Sequence, residues 1–216
     1  VSLNPAILRS VGFIVPREGT EVDALVSSRE RAAAMTSLDV ESDAALVERA
    51  IDGDLAAAQA LFTRHATEVS SLTLHILRHR ADAGDAAQEA LVTAFDRLGQ
   101  LREPAEFRRW LRSIAMNECR RVRRAAWWRR VLRGSDGDAL RLEEMIAPAA
   151  SPEQRALLRD VDRALDGLPQ AHRDAWTLHT LEGITLPETA SLCGCSLATA
   201  KRWIAAVEDR LAELRR

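Results

Sequence analysis

FRRWLRSIAMNECRRVRR, residues 107–124, is the stretch from which the rest of the chain can be read. Turned at about 100° per residue, Phe107, Leu111, Ile114 and Val122 line up as one apolar stripe. Arg109, Arg112, Arg120 and Arg123 fall roughly opposite, with Arg108 and Arg124 at the margins and Trp110 and Asn117 on the border between the two faces. That rhythm predicts an amphipathic helix over Pro104–Arg124. Four stacked arginines with few acids in range repel one another unless a polyanion screens them. An aromatic ring beside an amide at the edge of such a strip suits an unstacked base, the ring by stacking and the amide by hydrogen bonds. Trp110 equally suits a core position, and the pattern alone leaves both open. Trp127 and Trp128, among Arg123, Arg124, Arg129 and Arg130, extend the strip with further aromatics.

The same three-four spacing recurs on both sides. In Asp54–His79 it is carried by Leu55, Ala58, Phe62, Val69, Leu72 and Ile76, with His65 filling one slot and Asp54 placed as an N-cap. A shorter helix, Asp43–Ile51, precedes it and closes at the turn around Gly53. Further helices are expected at Asp82–Leu98, Pro152–Asp166, Gln170–Leu181, Pro187–Cys193 and Ser196–Arg215. Strand-like alternation is rare beyond short runs in the first 38 residues, so the fold class is all-α.

Two of these helices carry faces of their own. On Asp82–Leu98, Ala87, Ala90, Leu91, Ala94 and Leu98 share one side, while Asp85, Gln88, Glu89 and Asp96, with Val92 among them, share the other. Such a face is either plainly solvated or a docking surface for a basic partner. At the C-terminal end Leu197, Ala200, Ile204, Val207, Leu211 and Leu214 form a packing stripe, and Ser196, Thr199, Lys201, Arg202 and Trp203 are expected on the free face. A short helix and the Cys193-Gly194-Cys195 turn precede it, which is the order of a helix-turn-helix that enters a major groove, or of an ordinary helical hairpin.

Charge is sorted along the chain. The formal net charge of −2 over 216 residues is made of −6 over residues 1–101 (9 arginines, 15 acids), +8 over 102–133 (11 arginines, 3 acids) and −4 over 134–216 (10 basic side chains, 14 acids). A basic block between acidic ones points to a polyanion strip on a protein that is not generally adhesive. The longest uncharged runs are about ten residues, short of the roughly 18 that a spanning helix needs, so no membrane insertion is expected and the expected compartment is the cytoplasm. Cys119, Cys193 and Cys195 fit neither a disulfide framework nor a four-ligand zinc site. His65, His75, His79, His172 and His179 fall within helical patterns without a paired nucleophile or ligand set, so no catalytic residue, metal or cofactor is expected and the chain does not read as an enzyme.

Turn-forming Gly134, Ser135, Asp136, Gly137, Pro148 and Ser151 mark a linker, expected at 125–151. Fully extended, its 27 residues reach about 90 Å, more than the roughly 34 Å of one DNA turn. The expected organisation is an N-terminal extension over 1–38, a helical domain over 39–124, the linker, and a helix-turn-helix domain over 152–216. Residues 1–38 read either as a disordered tail or as sequence upstream of a start near Met35.

Four motifs in order carry a resemblance: DAALVERAIDGDLAAAQALFTRH (43–65), DAGDAAQEALVTAF (82–95), FRRWLRSIAMNE (107–118) and LPQAHRDAWTLHTLEGITLPETASLCGCSLATAKRW (168–203). Together they resemble the sigma-70 class of bacterial RNA polymerase sigma factors, and within it the short extracytoplasmic-function group, which has only the second and fourth sigma domains. The resemblance covers about residues 43–216. It implies a non-enzymatic specificity subunit whose partners are core RNA polymerase, through the β′ clamp helices and the β flap, promoter DNA, and an anti-sigma factor.

By the same resemblance, Asp85, Gln88, Glu89, Val92 and Asp96 dock on the clamp helices. Arg108, Arg109, Trp110, Arg112, Asn117, Arg120, Arg123 and Arg124 open and hold the minus-ten element, with Asn117 at a position the family uses for a flipped base. Ser196, Thr199, Lys201, Arg202 and Trp203 read the minus-thirty-five element. The chain departs from the family pattern at Arg121, where an aspartate or asparagine is frequent, and at Trp203 and Ala206, where arginines are usual. Two rival readings are a stand-alone helix-turn-helix regulator and a sigma-mimicking adaptor that sequesters an anti-sigma protein.

Overall fold

A computed structural model describes residues 41–133 and 152–213. Among the described residues there are eight helices and no strand: α1 (Asp43–Ile51), α2 (Leu55–Leu77), α3 (Arg80–Asp96), α4 (Phe107–Arg133), α5 (Pro152–Asp166), α6 (Gln170–Trp176), α7 (Leu186–Cys193) and α8 (Leu197–Glu213). Short 3-10 turns at Leu98–Gln100 and Pro104–Glu106 lead into α4. The N-terminal extension and residues 134–151 lie outside the described residues.

Helix ends are set by local chemistry. The Ser42 hydroxyl accepts the Ala45 amide at 3.3 Å to begin α1, and the Asp54 carboxylate accepts the Ala56 and Ala57 amides at 2.9 and 3.2 Å to begin α2. Arg49 donates twice to the other Asp54 oxygen, at 2.6 and 3.0 Å. That hydrogen bonding holds the Asp54 carboxyl below its ordinary value against the desolvation that opposes it. Gly194 ends α7 in the left-handed region (φ 67°), where a Cβ would be strained, and the Ser196 hydroxyl accepts the Thr199 amide at 3.2 Å to start α8.

Two boundaries differ from the sequence expectation. α4 does not stop at Arg124 but runs nine residues further, to Arg133, so 125–133, expected as the start of a linker, are helical. The physical reason is in the chain: nothing between Ala125 and Arg133 breaks a helix, and the first residue that does is Gly134. The helix expected over Gln170–Leu181 is α-helical only to Trp176 and ends in a wider π-helical turn, Thr177–Leu181, where the Glu182 amide donates to the Thr177 carbonyl five residues back.

The described residues form two compact units, each containing parts of α2, α3 and α4: 41–67 with 89–114, and 68–88 with 115–133 and 152–213. In the first unit, α1 packs against the two 3-10 turns, and Leu46, Val47, Leu61, Leu98, Phe107 and Leu111 are buried. Burying each such side chain stabilises the fold by about 1.5–3 kcal/mol. His65 is buried among them, with Nε2 2.8 Å from Asp43 and its ring edge-on to Phe107 at 5.3 Å, which makes it a partnered core histidine.

In the second unit the core is Leu165, Ala175, Trp176, Ile204 and Val207, and α8 packs chiefly on α6 and α7. Ala200, Ile204 and Val207 of the expected packing stripe are buried and Leu211 is partly so. Leu197, the first residue of α8, is 42% exposed and does not belong to the stripe. Leu214 lies outside the described residues.

Candidate nucleic-acid interface

The arginine face of α4 has two kinds of arginine on it. Toward its N-terminus Arg108 and Arg109 are exposed, Arg109 lying 3.3 Å from Glu106 on the preceding turn, and Arg112 is half-buried. Trp110 is half-buried against Phe107, ring centroids 6.3 Å apart, so the core reading of this tryptophan is partly met and one side of it remains accessible.

Further along, Asn117 is exposed and its Oδ1 accepts Nη1 of Arg120 at 2.9 Å, while Nη2 of Arg120 donates to the backbone carbonyl of Leu192. Arg123 donates through both terminal nitrogens to the two oxygens of Asp174, at 2.9 and 2.7 Å, and Gln170 donates to the same carboxylate at 2.8 Å. Burial opposes the Arg123 charge, but the bidentate pair outweighs it and holds the guanidinium above its ordinary value. Arg124 and Trp127 are exposed. Asn117, Arg120, Arg123, Arg124, Trp127 and Gln170 line an open groove of about 690 Å³. Cations, a ring and two amides therefore converge on one concave surface, which suits a nucleotide with its base unstacked.

The buried side of α4 is wider than its predicted stripe. Phe107, Leu111 and Ile114 are buried as expected and Val122 is half-buried, but Ala115, Met116 and Cys119 are buried as well. Asp174 was missed entirely as a partner. Its signal is a carboxylate next to Ala175 and Trp176 on a face that packs, where an acid needs a partner.

On α3, Asp85, Gln88, Glu89 and Asp96 are all exposed, Val92 is half-buried, and Ala87, Ala90, Leu91 and Ala94 are buried, as is Leu98 beyond the helix end. The predicted division of this helix into two faces is the observed one.

At the helix-turn-helix, Ser196, Lys201 and Arg202 are exposed and Thr199 is half-buried, its hydroxyl 2.9 Å from that of Ser196. Trp203 is not on the free face. It is half-buried against the α6–α8 core and stacks on His172 at 5.6 Å between ring centroids. The reason is positional: residue 203 is three after Ala200 and four before Val207, on the flank of the buried stripe. Burial pushes the Cys119 and Cys193 thiols up to about 12 and raises Cys195 as well, the direction that disfavours a thiolate.

An all-helical chain with an arginine-lined groove on one helix and a glycine-turned helix-turn-helix has the architecture of a nucleic-acid-binding transcription protein. The model of Sigma-70 region 2 matches residues 61–129, and that of Sigma-70 region 4 matches residues 158–211. RNA polymerase sigma-H factor of Pseudomonas aeruginosa is 30% identical over 172 residues, which cover 76% of this chain and 89% of that protein. ECF RNA polymerase sigma factor SigM of Mycobacterium tuberculosis is 32% identical over 174 residues, 80% and 84% of the two chains. ECF RNA polymerase sigma-E factor of Escherichia coli is 31% identical over 169 residues, 74% and 87%.

Among solved structures, CnrH in complex with the cytosolic domain of CnrY has the same fold (TM-score 0.58, 22% identity, 81% of this chain and 97% of that one). So has the sigma factor RpoE in complex with the anti-sigma factor NepR from Bartonella quintana (TM-score 0.59, 21% identity, 71% and 93%). The chain belongs to the extracytoplasmic-function group of sigma-70 RNA polymerase sigma factors. It is a transcription initiation factor, acting with RNA polymerase at promoter DNA.

Proposed function

We propose that initiation by this factor is divided among three surfaces. Asp85, Gln88, Glu89, Val92 and Asp96 of α3 dock on the β′ clamp helices of core polymerase. The α4 face, Arg108, Arg109, Trp110, Arg112, Asn117, Arg120, Arg123 and Arg124, opens and holds the minus-ten element. Ser196, Thr199, Lys201 and Arg202 read the minus-thirty-five element, and Trp203 acts from within, by fixing the reading helix on its core. In domain terms, residues 39–124 form the region 2 part and 152–216 the region 4 part, which docks on the β flap. An anti-sigma factor is a further partner, a reading supported by the anti-sigma complexes of CnrH and RpoE. The factor works in the cytoplasm as a non-enzymatic subunit with no resident cofactor.

The observation that carries this reading is the exposed Asn117 amide at a groove shared with Arg120, Arg124 and Trp127. Opening a duplex costs a few kcal/mol for each unstacked step, and stacking a base on an aromatic ring returns about 1–3 kcal/mol. Hydrogen bonds from Asn117 and arginine–phosphate contacts make up the remainder. Transcription in vitro with core enzyme tests it: the parent factor redirects initiation to its promoter, and failure either to bind core or to redirect initiation overturns the reading.

A further inference from the structure

α4 carries an aromatic pair whose outer member belongs to none of the surfaces assigned above. Trp127 and Trp128 are 52% and 57% exposed, and their rings meet edge to face, centroids 4.6 Å apart at 74°. Two large rings left side by side in water mark a surface that binds something. The helix presents them on a fixed frame, since it is continuous from Phe107 to Arg133.

Helical geometry connects the pair to Asn117. At about 100° per residue, Asn117, Arg121, Arg124 and Trp128 fall within a band of about 60°, and all four are exposed. The eleven residues from Asn117 to Trp128, at about 1.5 Å each, put the ring about 16 Å along the helix from the amide. Trp127 lines the groove with Asn117, Arg120, Arg123 and Arg124, and its ring backs that of Trp128. Arg121 is paired with Glu118 at 2.6 Å, so Arg124 is the cation assigned to a phosphate between the two ends of the row.

Exposed tryptophans fit either a protein surface or a base, and the surrounding charge favours the base. Residues 102–133 carry +8, and arginines stand between the amide and the ring. A line of cations ending in a ring matches a single strand, whose backbone is anionic and whose bases offer flat faces for stacking. A strand stacked as in a duplex advances about 3.4 Å per nucleotide, so 16 Å corresponds to about five nucleotides, and to fewer where the strand is stretched.

We infer that Trp128, backed by Trp127, is a second stacking site, which takes an unpaired nucleotide of the promoter strand within about five positions of the base at Asn117. Arg124 holds the backbone between them. This rests on the Asn117 reading proposed above. Every base has a π face, so the site adds hold on the opened strand without adding sequence preference.

The test uses holoenzyme on a promoter fork whose minus-ten strand is already unpaired, with abasic nucleotides placed one position at a time. The parent factor is compared with Asn117→Ala, Trp128→Ala and Trp128→Phe. With the parent, abasic substitution weakens binding at two places within about five nucleotides of each other. Trp128→Ala weakens binding to the intact strand by about tenfold and removes the sensitivity at the second place alone, and Trp128→Phe, which still stacks, restores most of it. A Trp128→Ala profile identical to the parent's overturns the second site. So does a Trp128→Ala factor that binds core polymerase more weakly with an unchanged abasic profile, since the rings then face protein. Loss of the Asn117-dependent place alone, with the Trp128-dependent one retained, overturns the Asn117 reading and leaves the stacking site standing. A parent profile flat at every position overturns both.

Discussion

Arg109 and Arg123 are the same residue on the same face of the same helix, four turns apart, and they are in opposite states. Arg109 is exposed, with an i,i+3 acid 3.3 Å away, whereas Arg123 is half-buried in a bidentate pair with a carboxylate 51 residues along the chain. The helical repeat sets which way a side chain points and how much charge a face accumulates. Whether that charge is available is set by partners that the repeat does not encode.

The largest expected effect breaks this comparison directly. Arg123→Ala strands a nearly buried Asp174 and destabilises the fold by about 3 kcal/mol, while Arg109→Ala costs about 0–1 kcal/mol; chemical denaturation of the two variants reads the difference. Equal losses would mean that Arg123 is no more committed than its neighbour.

Next comes the contrast between Trp203 and Lys201 on α8. Trp203→Ala removes a half-buried ring from the α6–α8 core and lowers stability by about 2 kcal/mol. Lys201→Ala leaves stability unchanged within about 0.5 kcal/mol and instead lowers the salt dependence of promoter binding by about one phosphate contact. A stable Trp203→Ala that loses only minus-thirty-five recognition would return Trp203 to the reading face.

The smallest effect is alkaline. The buried Cys119 thiol, pushed up to about 12 in the fold, titrates near its ordinary 9 once unfolded. Between those values the unfolded chain has lost the proton that the folded chain retains, so stability falls as pH rises from 9 toward 12. Cys119→Ala reduces that slope, leaving the share of Cys193, measured as the denaturation midpoint at pH 8 and pH 10.5, without altering the neutral-pH fold. An unchanged slope would show that Cys119 is not the group responsible.

What was legible in the sequence was local. Asp54 as a cap, the two faces of α3, and the extents of α1 and α5 follow from capping chemistry and from the spacing of Ala87, Ala90, Leu91 and Ala94. The glycine turn before α8 was equally readable. What was missed is of two kinds. The length of α4 was underestimated because a cluster of turn residues was read as starting before Gly134. The partners of Arg123, Arg78 and His75 are 51, 84 and 107 residues away in sequence, and no periodicity in either segment points to the other. Trp203 belongs between these cases: its spacing from Ala200 and Val207 placed it beside the core, and its neighbours Lys201 and Arg202 drew it to the free face.

The central claim is that Asn117, at the groove on α4, holds an unstacked promoter base. Permanganate reactivity of thymines in the holoenzyme–promoter complex measures it, with the parent factor and with Asn117→Ala compared at equal core binding. The expected result is an open minus-ten region with the parent and about tenfold or greater loss of reactivity with the variant, the worth of a good amide–base pair. Undiminished opening by Asn117→Ala would contradict it.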